Sequence, residues 1–415
     1  MHDKDRLLHA EALQILKSNL NCVCHTETEH LDESLNRILG NDIICQTAVP
    51  AHDNSAVDGY AFNHNQYMAG NVPFPIAMRV TAGNPASIPM AMNSCARIFT
   101  GAVIPDNADC VAMQEDCEHS ADRNAISIPA GLLPGANLRK AGEDLQVGAL
   151  VLNSGTQLRP QDISQIASLG IASICVRRKP RIALISTGDE LVEPGSPLPV
   201  GGVYNSNTPL LKSLCHNLNC LVTDLGIIED NASVVEETIW QAASTHDVIL
   251  TSGGASRGEE DHIISTLDKL GHRHMWQLAI KPGRPMTFGQ INDTVFLGLP
   301  GNPVAAMICF LLYVRPAILQ LSGATWQAPQ GYLVPAGFSI SGKKPDRREF
   351  YRGFISENKN GDMIVEKFQK DGSGLISSLR QADGLIEIPE KVTRIDKGEL
   401  VQFLPFTSFG LQPRL

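Results

Sequence analysis

The residues best suited to chemistry lie in the segment 248–263, VILTSGGASRGEEDHI. The apolar and β-branched run 248–251 predicts a buried strand, and Gly253 with Gly254 lets the backbone turn sharply before a helix that begins near Asp261. A strand, a glycine turn and a helix N-terminus direct amide groups outward, an arrangement that suits an anion such as a phosphate. The segment therefore predicts a phosphate-binding turn.

The same turn carries three carboxylates, Glu259, Glu260 and Asp261. Carboxylates repel a phosphate unless a cation lies between them, and Mg²⁺ is commonly held by one or two carboxylates together with substrate phosphate oxygens. These residues therefore indicate a phosphorylated ligand that binds with a metal ion. A purely structural alternative is that glycine permits the turn and that acidic side chains at a helix start interact favourably with the helix dipole.

The elements around this turn predict a parallel sheet. From Arg181 to Gly323 strand patterns alternate with helix patterns, which is typical of a parallel sheet covered by helices on both faces. Ligands of such sheets bind outside the carboxyl ends of the strands. The polar segments 186–190, 229–230 and 252–261 each follow a predicted strand and are therefore the candidates for a binding site.

The N-terminal part predicts packing helices and a β-rich insert. A second helix is expected at 32–40, short strands broken by Gly, Pro and Asn at 73–134, and a further helix at 160–170. The first helix, at 5–20, would have an apolar face made of Leu8, Ala12, Ile15 and Leu16.

After Gly331 short strand patterns return and predict a small β-barrel or sandwich. The segments RREFYRG and DGSGLISSLRQADG are expected to lie between its strands. This C-terminal pattern differs from the helix-rich region before it, so it indicates a separate unit.

Composition disfavours several classes of protein. The 415 residues are too many for one compact core, and the net charge of −10 disfavours nucleic acid as a partner. The N-terminus is charged where a signal peptide would be apolar, and the longest apolar run, 304–314, is too short to span a bilayer. Ten cysteines without a CxxC pair indicate reduced thiols. We therefore expect a cytoplasmic protein without a membrane partner.

Six motifs taken together resemble one protein family. They are SAVDGYAF at 55–62, FTGAVIP at 99–105, STGDEL at 186–191, TSGGASRGEEDHI at 251–263, AIKPGRP at 279–285 and GLPGNPVA at 298–305. Together they are similar to the MoeA-type molybdopterin molybdenumtransferases, the family that includes the C-terminal domain of gephyrin. The likeness runs through nearly the whole chain in the family's order, so chance is a poor explanation.

The resemblance implies an elongated homodimer with a multidomain α/β plus β fold. The fold would comprise a central α/β domain with a parallel or mostly parallel sheet, a β-rich insert and a C-terminal β-barrel. The implied units are an N-terminal helix at 1–26 packed on the α/β domain, an elongated linking domain at 27–46 and 141–178, the insert at 47–140, the molybdopterin-binding α/β domain at 179–326 and the barrel at 327–415.

The resemblance also implies an enzyme. The expected reaction inserts molybdate into adenylyl-molybdopterin, releases AMP and forms the molybdenum cofactor, with Mg²⁺ assisting. A molybdopterin adenylyltransferase would act upstream, and molybdoenzymes or carriers would act downstream. Breaking the phosphoanhydride requires neutralisation of charge on the phosphoryl oxygens, which a metal ion can supply.

The resemblance implies functional roles for the residues of this chain that match the family motifs. The catalytic residues would be Asp58, Glu190, Asp230 and Asp261, of which the last three would hold the metal. In this family Asp58 and Thr100 reach the site across the dimer, while Lys281 acts as a point charge and Arg139 and Arg352 as oxyanion ligands. The substrate-binding residues would be Thr100, Arg139, Asp144, Ser252, Gly253, Gly254, Lys281, Arg284, Arg352 and Ser373.

Taken singly, these residues have structural explanations. Asp58 is a typical turn residue before a glycine, and Asp230 with Asn231 is suited to an N-cap. Arg139 and Arg352 could be surface cations, the commonest fate of arginine. Their joint occurrence in the family's order is what favours function.

The chain departs from the family pattern at two positions. Gln277 stands where the family often has a basic residue, and Arg257 stands where it usually has a small or apolar one. These departures motivate an alternative, a non-catalytic paralogue that binds or carries molybdopterin. The choices of Arg352 over Arg348 and of Ser373 over Ser377 stay open.

Overall fold

The computed structural model describes residues 6–70, 73–253, 262–370, 372 and 374–414. Its central sheet orders the strands Leu221–Ile228, Arg181–Thr187, Val248–Ser252, Thr294–Leu299, Thr287–Ile291 and His272–Trp276. The first four strands pair in parallel and the last two pair in antiparallel fashion. The sheet is therefore mixed, with parallel pairing among four of its six strands.

Helices cover both faces of the central sheet, as the alternating pattern predicts. Along the strand Arg181–Thr187, Ile182 and Leu184 join one buried cluster, whereas Ala183 and Ile185 join another, because successive strand residues point to opposite faces. The covering helices are His9–Asn19, Asn207–Asn217, Ala232–Thr245, His262–Leu270 and the helix that runs from Pro303 to Leu321.

The N-terminal helix is shorter than predicted. It spans His9–Asn19 rather than 5–20. Leu8 directly before it is extended, and Leu7 is bridged to Leu278. Ala12 and Leu16 are fully buried, whereas Leu8 is 42% exposed. The predicted apolar face is confirmed for Ala12 and Leu16 and is wrong for Leu8.

The predicted helix at 32–40 is wrong. Only the single 3-10 turn Leu31–Glu33 forms. Asn36 has a φ of 62°, a left-handed conformation that a right-handed helix excludes. Ile38 and Leu39 then make antiparallel bridges with other segments. Pairing with distant segments takes the place of local helix formation here.

A linking region is formed by two segments, one before and one after the insert in sequence. It pairs the strand Thr26–His30 with Ser173–Arg177 and Ile43–Ile44 with Leu150–Leu152. Its helix, Pro160–Ser168, begins at Pro160 and ends before Gly170, as predicted. Its buried residues form a cluster of their own.

The insert is built mainly from strands, as predicted. Near the two ends of the insert, the strand Asn54–Ser55 pairs with Leu138–Arg139. The insert also contains the short helix His64–Met68. Its sheet orders Cys110–Met113, Gly59–Phe62, Cys95–Ile98, Phe74–Val80, Ala125–Ser127 and Glu118–His119.

The C-terminal sheet includes a short strand from the central region. Its order is Ile280–Lys281, Arg348–Glu357, Gly384–Ile388, Leu400–Pro405 and Tyr332–Pro335, with Met363–Lys367 also paired to Arg348–Glu357. All of RREFYRG except Arg347 therefore lies within the strand Arg348–Glu357, and the expectation that this segment lies between strands is wrong. Ala336 bridges Val365, so the sheet curls, but a closed barrel stays a prediction. The helix Ile376–Gln381 follows.

The apolar run at 304–314 is part of a helix that extends beyond the run. The expectation that this segment is too short to span a bilayer is therefore wrong as far as length is concerned. The helix Pro303–Leu321 has 19 residues and is long and apolar enough to cross a membrane. However, 78% of its 18-residue apolar window is buried inside the protein, where the helix packs in the largest hydrophobic cluster. It is therefore a core helix.

Candidate functional site

The candidate site begins where the strand Val248–Ser252 ends. Gly253 has a φ of 96°, and a Cβ added there would lie 2.6 Å from the carbonyl oxygen of Thr187. Only glycine permits this close approach of two strand ends. The Gly253 amide donates to the Leu299 carbonyl at 3.2 Å. It is therefore not directed at a ligand, contrary to the prediction of a phosphate-binding turn. Gly254, Arg257 and Asp261 lie outside the described residues.

Asn207, which the sequence argument missed, holds Ser252 in place. Its Nδ2 donates to Ser252 Oγ at 2.8 Å and to the Gly301 carbonyl at 2.7 Å. Asn207 is only 7% exposed, and its Oδ1 has no hydrogen-bond partner among the described residues. The signal in the sequence was an asparagine at a helix start that follows a predicted strand. A buried acceptor without a donor is available to a ligand.

A second polar group lies beside it. Ser186 Oγ and Thr208 Oγ1 are 2.7 Å apart, and Asn205 Nδ2 donates to Thr208 Oγ1 at 2.9 Å. All three side chains are buried. Because a buried polar group must be hydrogen-bonded, this network fixes the start of the helix Asn207–Asn217 against the strand Arg181–Thr187.

Glu190 and Asp230 follow neighbouring parallel strands, and both are exposed. The Glu190 carboxylate folds over Gly188, since a Cβ at Gly188 would lie 2.8 Å from Glu190 Oε2. Asp230 does not cap the next helix; Asn231 does, with its Oδ1 accepting from the Ser233 amide at 3.0 Å. Both carboxylates are therefore accessible to a ligand.

A preformed metal site is absent from the described part of the chain. No group of three or more His, Cys, Asp or Glu side chains there is placed to hold an ion. Two exposed carboxylates, Glu190 and Asp230, are hard oxygen ligands of the type that Mg²⁺ binds together with phosphate oxygens. They fit an ion shared with a substrate and not a complete protein cage.

Lys281 and Arg284 bring positive charge next to the C-terminal sheet. Lys281 is in register with Glu349, and its Nζ lies 3.9 Å from that buried carboxylate. Arg284 donates to Gln277 Oε1 from Nε at 3.3 Å and from Nη2 at 3.0 Å. Gln277, the departure from the family pattern, is thus a buried acceptor that orients Arg284, which a basic residue could not be.

Asp58 and Thr100 are brought together within the insert. Asp58 Oδ1 accepts from the Thr100 amide and from Thr100 Oγ1, both at 2.8 Å. These bonds hold the pKa of Asp58 below its ordinary value. Arg139, which pairs with Asn54 in the same region, and Asp144 are exposed. Hydrogen bonds from Asp58 and Thr100 to the central sheet are absent among the described residues.

Arg352 is buried, at 3% exposure. Its Nε donates to Ser378 Oγ at 2.9 Å, and its Nη2 donates to the carbonyls of Lys370 and Gly372 at 2.8 and 3.2 Å. The guanidinium therefore donates to its own chain, so the alternative of a solvated surface cation is wrong. The role of Arg352 as an oxyanion ligand stays a prediction. Ser373 lies outside the described residues.

The alternatives near Arg352 differ in surroundings. Arg348 forms ion pairs with Glu387 at 2.5 Å and with Glu390 at 2.9 Å. Its charge is thus neutralised within the C-terminal sheet, which disfavours a role as an anion ligand. Ser377 is exposed.

Comparison with known proteins identifies the family. Three family profiles match in order: the MoeA N-terminal region (domain I and II) at 8–170, a probable molybdopterin binding domain at 183–320 and the MoeA C-terminal region (domain IV) at 334–406. The molybdopterin molybdenumtransferase of Haemophilus influenzae is 38% identical over 384 residues, which cover 92% of this chain and 94% of that protein. The chain belongs to the molybdopterin molybdenumtransferase family.

Other comparisons support membership of the molybdopterin molybdenumtransferase family. Gephyrin of Dictyostelium discoideum is 30% identical over 442 residues, covering 94% of this chain and 61% of gephyrin. The crystal structure of a molybdopterin biosynthesis MoeA protein from Pyrococcus horikoshii OT3 superposes with a TM-score of 0.83 at 29% identity, covering 96% and 99% of the two chains. The resemblance inferred from the six motifs is therefore confirmed, whereas the role of each residue stays a prediction.

Proposed function

We propose that this chain is a transferase that inserts molybdate into adenylyl-molybdopterin and releases AMP, forming the molybdenum cofactor. The observation that carries the proposal is the 38% identity to the Haemophilus influenzae molybdopterin molybdenumtransferase over nearly the full length of both chains. The likeness also extends beyond the pterin-binding region, since family profiles match on both sides of it. In this proposal the enzyme acts in the cytoplasm, after a molybdopterin adenylyltransferase and before molybdoenzymes or carriers.

The phosphates of the substrate would bind at the carboxyl ends of the central strands. Lys281 would contribute a compact positive charge, and Arg284, oriented by Gln277, a planar guanidinium. Asn207 Oδ1 would accept a hydrogen bond from the ligand, because it is buried without a donor among the described residues. Ser252, fixed by Asn207, would position the ligand beside these groups.

Magnesium is the proposed metal ion. Glu190 and Asp230 would hold it, together with Asp261, which lies outside the described residues. When bound, the ion would neutralise charge on the phosphoryl oxygens. The exposure of Glu190 and Asp230 supports a site that is completed by the substrate.

We propose a homodimer in which the insert of one subunit faces the crevice of the other, the crevice being the surface at the carboxyl ends of the central strands that carries Ser252, Asn207, Glu190 and Asp230. Asp58 and Thr100 would then act on the site of the neighbouring subunit, with Arg139 and Asp144 contributing to substrate binding. The exposure of Thr100, Arg139 and Asp144 supports this arrangement. The Asp58 carboxylate, held ionised by Thr100, would orient a proton-donating ligand.

Arg352 is proposed to position and not to touch the substrate. Its three hydrogen bonds, to Lys370, Gly372 and Ser378, would fix the course of this part of the chain. We also propose the division into units at 1–26, 27–46 with 141–178, 47–140, 179–326 and 327–415, which the separate buried clusters of the linking region, the insert and the C-terminal sheet support.

The test is a reconstituted reaction. Purified protein with adenylyl-molybdopterin, molybdate and Mg²⁺ is expected to release AMP and yield active cofactor. Asp230→Asn is expected to lower turnover, whereas the matched control Asp293→Asn, which changes an exposed residue of the turn between two other strands, is expected to retain it. AMP release no greater than in a control without protein would contradict the proposal.

The same assay distinguishes the transferase from the carrier alternative. Gln277 favours the carrier, because a neutral hydrogen-bond acceptor stands where the family often has a positive charge. A carrier would bind molybdopterin tightly while AMP release stayed at the control level. Binding is measured by calorimetry with molybdopterin. Turnover together with binding would exclude the carrier.

A further inference from the structure

A cavity lies between the linking region and the helix Pro303–Leu321. Its volume is about 500 Å³, within the range of roughly 300–1,000 Å³ that small-molecule sites occupy. Its walls come from the segments 153–159, 315–319 and 324–327. The Thr325 amide donates to the Gly155 carbonyl at 3.1 Å, which ties two of these segments together. The cavity shares no lining residue with the crevice described above.

The lining is rich in hydrogen-bond donors and contains no carboxylate. Two guanidinium groups contribute, from Arg159 and Arg315, together with uncharged polar side chains. Arg159 is neutralised by Asp162, to which it donates from Nε and Nη2 at 2.9 Å each. The uncharged polar residues are Asn153, Thr156, Gln157, Thr325 and Gln327.

Arg315 is the uncompensated charge of this cavity. Its Nε donates to the Phe409 carbonyl at 3.1 Å, and its guanidinium lies 6.0 Å from the centroid of the Phe409 ring. No carboxylate of the described residues forms an ion pair with it, and burial lowers its pKa. A partly buried cation without an anion is costly, so a bound anion would stabilise it.

We propose that this cavity binds a small organic anion, whose oxyanion head contacts Arg315 and whose uncharged body lies against Leu319 and Trp326. The two Nη groups of Arg315 match the oxygens of a carboxylate or a phosphate in a forked geometry. Leu319, Trp326 and Pro316 supply the apolar part of the wall. The ligand would bridge the linking region and the central helix.

The proposal is tested with two probes that share one body and differ in the head group, benzoate and phenyl phosphate. Calorimetry on the full chain is expected to show saturable binding of at least one probe, and the stronger probe identifies the head group. Hydrogen exchange with the probe present is expected to slow in 153–159 and 324–327. Absence of binding of both probes, or slowing confined to the crevice at 248–253, would overturn the proposal.

Substitutions at Arg315 test whether its positive charge binds the anion. Arg315→Gln is expected to weaken binding about tenfold or more, because one charge-assisted contact is lost. Arg315→Lys keeps the charge without the fork, so it should bind with intermediate affinity. The control Arg394→Gln, at a side chain that is 72% exposed, should bind as the unmodified chain does.

The melting temperature provides a second readout. Removal of an uncompensated, partly buried cation should leave the melting temperature of Arg315→Gln unchanged or raise it. Unchanged probe affinity in Arg315→Gln, or a marked fall in the melting temperature of both Arg315 variants, would instead make Arg315 a structural residue and refute the site.

Discussion

The structure makes Asn207 the residue that sets the geometry of the crevice, so Asn207→Ala is the most informative change. One Nδ2 group joins Ser252 Oγ at 2.8 Å and the Gly301 carbonyl at 2.7 Å. The substitution removes both bonds at a position that is 7% exposed. The Ser252 hydroxyl is buried, so water cannot readily replace its bond, and the end of the strand Val248–Ser252 and the turn at Gly301 should separate more often.

The size of the effect follows from the two bonds. Each contributes about 1 kcal/mol, and leaving the buried Ser252 hydroxyl without this donor adds a further penalty, for a total of roughly 2–4 kcal/mol. At about 1.4 kcal/mol per factor of ten, local opening should become roughly 30- to 700-fold more frequent. Hydrogen exchange measured by mass spectrometry reports this as faster exchange in peptides that cover Ser252 and Gly253, whose amide donates to Leu299.

Asn217→Ala is the matched control on the same helix. Asn217 Nδ2 donates to a carbonyl, that of Gly410, at 2.9 Å, but it is exposed at the far end of the helix. It should leave exchange at Ser252 and Gly253 unchanged. Equal exchange in Asn207→Ala and the unmodified chain, or equal acceleration by both variants, would refute the inference that Asn207 holds the crevice.

Three further changes test other parts of the structure. Thr100→Val removes a hydroxyl that lowers the pKa of Asp58, so that pKa should rise and the acid limb of the pH–rate profile for AMP release should move to higher pH; an unmoved limb would separate Asp58 from catalysis. Asp247→Asn breaks the paired hydrogen bonds from Arg178 at 2.7 and 2.8 Å. Burial works to raise the pKa of Asp247, but these bonds outweigh it and leave the pKa lowered. The carboxylate therefore stabilises the fold above its unfolded pKa of about 3.9, and this stabilisation is lost as pH falls through the lower folded pKa. Urea denaturation should show a loss of about 3 kcal/mol near pH 7 that shrinks in acid, and equal stability near pH 7 would contradict the ion pair's role. Arg352→Lys cannot keep the geometry of all three hydrogen bonds that Arg352 makes, so exchange should accelerate in 370–378; unchanged exchange there would refute the positioning role of Arg352.

Local patterns predicted much of this protein correctly. The strand and helix sequence from Arg181 to Leu270, the glycine at 253 and the family were all accessible from the chain alone. These features depend on hydrophobic periodicity, on backbone conformations that few residues adopt and on motifs that are contiguous in sequence. Each can be recognised without knowing what lies across space.

The tertiary structure decided the partners of individual side chains. Ile38 and Leu39 pair with distant segments where the sequence predicted a helix. Arg352, for which a surface position was the structural alternative, is buried against Lys370, Gly372 and Ser378. Gln277 orients Arg284. Asn207 joins the end of the strand Val248–Ser252 to Gly301, which lies 94 residues from Asn207 in sequence. Residue types state which hydrogen bonds a side chain can make, but only the packing of separate elements determines which of them it does make.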